Sequence, residues 1–258
     1  MCWQKEALQF AVIIDGGSTG TCVDVYAWAH SHRDPLPVMV RPTYSHTNWA
    51  SWYRGQQHAY KQVETEPGLD KMLHNGTALT NALVPLLKCA EKQIPPYAHA
   101  TTQLFLLATA GLRRLPPEHS EWILDNAWSE LEKSSFKCDH RQVKVISGVE
   151  EVYYGWISLN YNFGKLGHVP KLSNFGTLDL GGSSFQVTFE PDEVPKHFGV
   201  NVSARSTKHH LYAHSHAGFG LNDVFEKSVA QLLHPRVAAT NGIVVSKKGL
   251  VEVDHPYL

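Results

Sequence analysis

The chain has 258 residues, 43% hydrophobic and 18% charged, with a net charge of −1. That length suffices for one large domain or two lobes with a sizeable core, and the near-neutral balance gives no basis for a nucleic-acid partner or an anionic membrane surface. No apolar run reaches the ~18 residues that a membrane span requires, and the opening MCWQKEALQF is not a secretory signal, so as written the chain reads as soluble.

In chain order, Gln9 to Asp15 and Thr21 to Ala29 read as strands separated by a loop of Gly, Ser and Thr. Six small residues after a lone aspartate exceed what a hairpin turn needs, and they allow close approach to the backbone. Val38 to Ser45 suggests a third strand, and Asn48 to Asn75 reads as loop with some helix. Thr77 to Gln93 has helical apolar spacing at Leu79, Leu83, Leu86, Leu87 and Ala90, with a kink expected at Pro85 and an end at Pro95-Pro96. QLFLLATAG suits a buried strand, Glu118 to Glu132 a helix, QVKVIS a strand and GVEEVYYGWISLNYNFG a helix. FGTLDLGGSSFQVTFEP reads as strand, tight loop and strand; beyond Lys196 the chain is mixed and rich in His and Gly, with a helix expected over Asn222 to Leu233. This order suggests α/β lobes.

The four cysteines lie far apart without a C-x-x-C pair, which points to buried or incidental thiols or one bridge. Asn75-Gly-Thr77 and Asn201-Val-Ser203 fit the glycosylation pattern, which has meaning only on the secretory route.

One internal echo carries chemistry. IIDGGSTGT and LDLGGSSFQ each run from an apolar strand through an aspartate into Gly-Gly-Ser and back into strand. Paired glycines let phosphate oxygens reach main-chain N–H groups, which together form an anion-binding concavity. Ser18, Thr19, Thr21, Ser183 and Ser184 add hydroxyl donors. An aspartate at each strand end can hold a hydrated hard cation that bridges phosphates. Two such loops facing each other would clamp a polyphosphate. Neither contains a lysine, and the G-x-x-x-x-G-K-[ST] pattern is absent.

IIDGGSTGT, LLATAGLRRLP, ISGVEEVYYGWISLNY, GTLDLGGSSFQVTF and LYAHSHAGFGLN resemble, in this order, conserved regions of the apyrases (nucleoside triphosphate diphosphohydrolases), in a divergent form most similar to plant members. The resemblance implies an actin-like (ribonuclease H-like) ATPase fold of two lobes, lobe I over residues 1–147 and a partial lobe II over 148–258. It implies removal of terminal phosphates from nucleoside tri- and diphosphates such as ATP and ADP with Ca²⁺ or Mg²⁺. Carried over by position, Glu151 is the base, Ser184 and Gln186 place the attacking water, and Asp15 and Asp179 hold the metal through water, with Thr109 outside that water shell. Gly17, Ser18, Thr19, Gly20, Thr21, Gly181, Gly182 and Ser183 are the phosphate-binding residues. In-line attack by water without a phosphoenzyme follows, because such chemistry needs positioning and charge neutralisation above all. The family is often membrane-anchored, facing a lumen or the outside, and glycosylated.

Beside these roles stand structural ones. Glu150 and Glu151 both suit a helix N-terminal turn, Trp156 and Tyr161 suit packing, and Arg113 and Arg114 suit a structural or surface role. His209, His210, His214 and His216 are read as no metal cluster. The pattern departs from the family at Cys22, where many members have Arg, and at Val152, where Gly is usual. The family's fifth region is expected beyond Leu258, so the chain is expected to be a truncated form. The alternative function is a non-catalytic nucleotide- or phosphate-binding remnant.

Overall fold

The computed structural model describes residues 8–29, 36–40, 63–168, 171–193, 197, 199–204, 207–232, 244–245 and 251–252. Its first sheet is built on β1 (Gln9–Gly16), which pairs antiparallel with β2 (Thr21–Ala29) and parallel with β5 (Gln103–Ala108). Val12 and Ile14 of β1 and Leu104 and Leu106 of β5 are wholly buried, as expected of central strands. The short β3 (Val38–Val40) and β4 (Val63–Thr65) both pair with β2, and β6 (Val143–Val145) extends the parallel side beyond β5. Of the strand expected to end at Ser45, residues 41–45 lie outside the described residues, as does the loop expected over residues 48–62.

Two helices, α1 (Gly76–Gln93) and α3 (Pro117–Leu131), pack on each other beside this sheet. The apolar stripe of α1 is buried as its spacing requires, and Asn75 caps it by accepting the Ala78 N–H at 3.0 Å. Pro85 is accommodated inside the helix. Between β5 and α3 a single turn, α2 (Ala110–Arg113), follows Thr109.

The second sheet has the order β7 (Thr177–Leu180), β8 (Ser184–Phe189), β10 (Thr207–Ala217) and β9 (Gly199–Ala204). One face is covered by α4 (Gly148–Asn162), whose Trp156 is fully buried and whose Val152 carbonyl accepts the Thr188 hydroxyl at 3.3 Å. A further helix, α5 (Leu221–Leu232), follows β10, and β11 (Val244–Val245) pairs with β12 (Val251–Glu252). Among the described residues, the mixed region after Lys196 thus contains four strands, β9 to β12, that sequence patterning did not resolve.

Strand β10 is tied down by a half-buried ionic knot at Glu190. Glu190 accepts from Lys171, Asn174, the His209 ring at 3.1 Å and the His210 backbone N–H at 3.2 Å. Burial alone would raise its pKa, but these donors outweigh it and hold it at about 2, against 4.5 unperturbed. A group depressed in the folded state stabilises fully above its unfolded pKa and loses that contribution as pH falls through the folded value. Urea unfolding of the wild-type chain should therefore show stability falling between about pH 4.5 and pH 2. Glu190→Gln should be less stable at pH 7 and show a flatter acid dependence.

Candidate active site

Both glycine-rich segments are hairpin turns at strand ends. The first is shorter than the sequence suggests: Gly16 still pairs with Thr21, which leaves Gly17 to Gly20 as the loop. Thr21 opens β2 and is completely buried, with its hydroxyl oxygen lacking a hydrogen-bond partner. In the second hairpin, Asp179 stands opposite Gln186, and the Gly181 N–H donates to the Ser184 carbonyl at 3.0 Å.

The two loops touch. A β-carbon on Gly182 would lie 2.7 Å from the Ser18 hydroxyl and 2.8 Å from the Thr19 methyl, so any other residue here would have to push those side chains aside. The second loop is braced from behind by the start of α5. The Leu221 and Asn222 N–H groups donate to the Gly181 and Gly182 carbonyls at 2.9 and 3.0 Å, and the Gly218 N–H to the Ser183 carbonyl at 3.0 Å. In a trans peptide the N–H points opposite to its carbonyl. The N–H groups of Gly182 and Ser183 are thus turned away from α5. The Thr109 N–H likewise donates to the Gly16 carbonyl at 3.1 Å, which turns the Gly17 N–H away from Thr109.

Around the loops, carboxylates crowd. Solvent reaches Asp15 at the strand end, but the surrounding protein removes most of its hydration. Burial first, then the charges of Glu151, Asp24, Asp179 and Glu64, push its pKa up to about 6. Among the described residues no ion pair with a lysine or arginine compensates Asp15, Asp24, Asp179 or Glu64, and no three acidic, His or Cys side chains converge to ligate one ion.

The consecutive acids of α4 are divided by geometry. Glu150 completes a capping box with Ser147, the two exchanging bonds of 2.8 and 3.1 Å, and pairs with Lys144 at 3.0 Å. The Ser147 backbone N–H, then Lys144, holds the Glu150 carboxyl below its ordinary pKa. Glu151 is free of the cap and pairs instead with Arg113 at 2.7 Å, while that arginine also donates to the Ile146 carbonyl at 2.9 Å. Arg114 reaches Asp223 of α5 at 2.8 Å. Both arginines are thus engaged in ion pairs, in keeping with the structural role expected of them: they link the α2 turn to α4 and α5, with partners that only a long-range pairing could have revealed.

Ser184 and Gln186 are both buried and adjacent, Gln186 Nε2 donating to Ser184 Oγ at 2.7 Å. The other amide atom of Gln186, its carbonyl oxygen, is buried without a partner. The four histidines do not converge. His209 is buried against Trp156 and Glu190, His210 pairs with Asn201, and His214 and His216 lie on the opposite face of the strand from His209.

Residues 1–244 match the GDA1/CD39 (nucleoside phosphatase) family. The chain belongs to it. Among curated proteins, the chain is 46% identical to "Probable apyrase 7" of Arabidopsis thaliana over 99% of its own length and 34% of the relative's. It is 33% identical to "Probable apyrase 5" of the same plant, over 93% of the chain and 46% of that protein. The chain therefore spans about a third to a half of the length of these relatives. A crystal structure described as nucleoside triphosphate hydrolases from Neospora caninum matches with a TM-score of 0.55 at 17% identity, over 83% of this chain and 45% of that one. The fold is the actin-like ATPase fold of this GDA1/CD39 member.

The approach of α5 to the second loop is tighter still, since a β-carbon on Gly220 would lie 2.3 Å from the backbone of Gly182 and Ser183. Gly220→Ala must displace that backbone, and overpacking of this kind costs about 1–3 kcal/mol. Urea denaturation should register the loss, with none for Gly76→Ala, a position in α1 whose β-carbon meets nothing closer than 3.9 Å and where alanine is the better helix former.

Proposed function

We propose that the chain hydrolyses terminal phosphates of nucleoside tri- and diphosphates with a divalent cation, using water activated by Glu151. The observation that carries this is the contact between the two glycine loops, with Asp15 beside it within reach of the charges of Glu151 and Asp179.

The N–H groups of Gly17, Gly182 and Ser183 and the hydroxyls of Ser18 and Thr19 are suited to phosphate oxygens, giving the anion a fixed set of dipoles. Uncompensated carboxylates fit a hard divalent cation, and because no three converge on one point, Asp15 and Asp179 would hold it through water, with Thr109 beside the Gly16 carbonyl. The bound ion, Ca²⁺ or Mg²⁺, supplies neutralisation of charge on the phosphate oxygens. The orphaned Gln186 carbonyl and the Ser184 hydroxyl are the groups suited to orient water. That water forms a bond to the terminal phosphorus as the bond to the bridging oxygen breaks. Glu151 takes the proton, and the nucleoside phosphate leaves with the bridging oxygen and its electron pair.

A second function, nucleotide binding without turnover, is favoured by one contact: Arg113 donates to Glu151 Oε2 at 2.7 Å and so occupies an oxygen that would take the proton from water. Phosphate release from ATP, ADP and UDP separates the two. Hydrolysis predicts release that requires Ca²⁺ or Mg²⁺ and falls by about 10²–10⁴-fold in Glu151→Gln, with no phosphorylated protein after a denaturing quench. Retained nucleotide binding with no release, unchanged in Arg113→Ala, would establish binding alone.

A further inference from the structure

The second sheet has one covered face and one bare one. Ser184, Gln186 and Thr188 of β8 are buried on the side where α4 packs. By strand alternation, Leu178 and Leu180 of β7, Phe185, Val187 and Phe189 of β8 and Tyr212 of β10 point the other way. None of the six is buried, and Leu178 is 75% exposed, Leu180 57% and Phe189 42%. They are neighbours in register: Leu178 stands opposite Val187, Leu180 opposite Phe185 and Phe189 opposite Tyr212, the last two rings stacked at 5.0 Å. Contiguous apolar surface of this kind marks an interaction site.

The bare face runs out to a bare edge. Among the described residues β7 pairs with β8 alone. Edge strands are ordinarily blunted by charge, proline or a bulge. On this side β7 offers leucines, and its one charge, Asp179, stands opposite Gln186 on the covered face. The repeated aspartate–glycine hairpin shows what the edge lacks. Both β1 and β7 lead through an aspartate into a glycine loop and an antiparallel partner, yet β1 is also flanked on its second edge by parallel β5. That neighbour ends beside the first loop, where the Thr109 N–H reaches the Gly16 carbonyl. Among the described residues β7 has no counterpart of β5. Covering 34% and 46% of the two plant relatives, the match leaves more than half of each outside it.

We propose that this edge and face are the docking surface for a polypeptide homologous to that remaining part of the relatives, which adds a strand parallel to β7 and covers the leucine–aromatic face. Parallel strands are apolar on both sides because both are covered, and the exposed Leu178 and Leu180 suit such a neighbour. The added strand would end beside the second glycine loop as β5 ends beside the first, so docking also walls that loop.

The test is co-expression of the affinity-tagged chain with an untagged fragment, the stretch of the 46%-identical relative that lies outside its match with this chain. Capture followed by size exclusion should retain the fragment in equimolar amount. Leu178→Arg should cut the retained fragment by about tenfold or more, since an unpaired charge in an apolar interface is costly. Tyr97→Arg, at an 82% exposed position of the first body, should leave it unchanged. Circular dichroism checks that both variants fold. Absence of the fragment from the captured wild-type chain would overturn the proposal, as would retention undiminished in folded Leu178→Arg. Self-association of the chain that Leu178→Arg abolishes, with no fragment retained, would assign the face to a second copy instead. Should Leu178→Arg not fold, hydrogen exchange on the wild-type complex decides: the β7 amides should exchange at least about tenfold more slowly with the fragment than without it, and unchanged exchange would overturn the docking.

Discussion

Two backbones come within touching distance only where β-carbons are missing from the point of contact, and the centre of this molecule is built on that constraint. Gly182 meets Ser18 and Thr19 on one side, and Gly220 lies against Gly182 and Ser183 on the other. Three layers of chain are thus stacked: first loop, second loop, start of α5. Hydrogen bonds from α5 hold the middle layer by its carbonyls, and peptide planarity then dictates where its N–H groups aim. No side chain is needed to fix that direction, so the loops can serve anions without a lysine.

Carboxylates concentrated beside the loops are the counterpart of those aimed N–H groups. Asp15 ends β1 and Asp179 lies near the end of β7, each positioned by its strand pairing opposite Cys22 and Gln186. Burial, and after it the charges of Glu151, Asp24, Asp179 and Glu64, raise the pKa of Asp15, a cost that the fold bears. A site that stores unfavourable charge in this way gains when a cation enters, since neutralisation relieves both burial and repulsion. Arg113 does not relieve it at Asp15, being spent on Glu151 and the Ile146 carbonyl.

Much of this was legible in the residues. The hairpin around Asp15, and helices α1, α3 and α4, follow from periodicity and caps, because in each the buried face is plainly apolar. The fold's family resemblance was legible too, since its motifs sit at strand ends and helix starts, where local sequence and position coincide. Strand β10 was not. Its buried face is Thr207, His209, Leu211 and Ala213, and it reads as polar because His209 is buried through Glu190 and Trp156 rather than through its own apolarity. Extra length assigned to the first loop has a similar origin, as Gly16 and Thr21 look like turn residues but are paired. The arginine bridges escaped for a different reason. Neighbours in sequence, Arg113 and Arg114 find partners 38 and 109 residues away, and no spacing rule encodes such distances.

Those bridges join the static site to motion. The first sheet with α1 and α3 and the second sheet with α4 are separate packed bodies, each with its own apolar cluster. Between them stand the loop contact, Arg113 and Arg114 gripping Glu151 and Asp223, and Tyr161 of α4, whose hydroxyl accepts from the Met39 N–H at 3.1 Å and donates to the Pro37 carbonyl. Half-buried ion pairs are strong enough to hold a geometry and weak enough to exchange partners when a competing charge arrives. A polyphosphate between the loops would bring such a charge to Arg113 and Arg114 together. Because Arg113 and Arg114 are adjacent, the pair at Glu151 and the pair at Asp223 share one short stretch of backbone, and a change in its position acts on both partners at once.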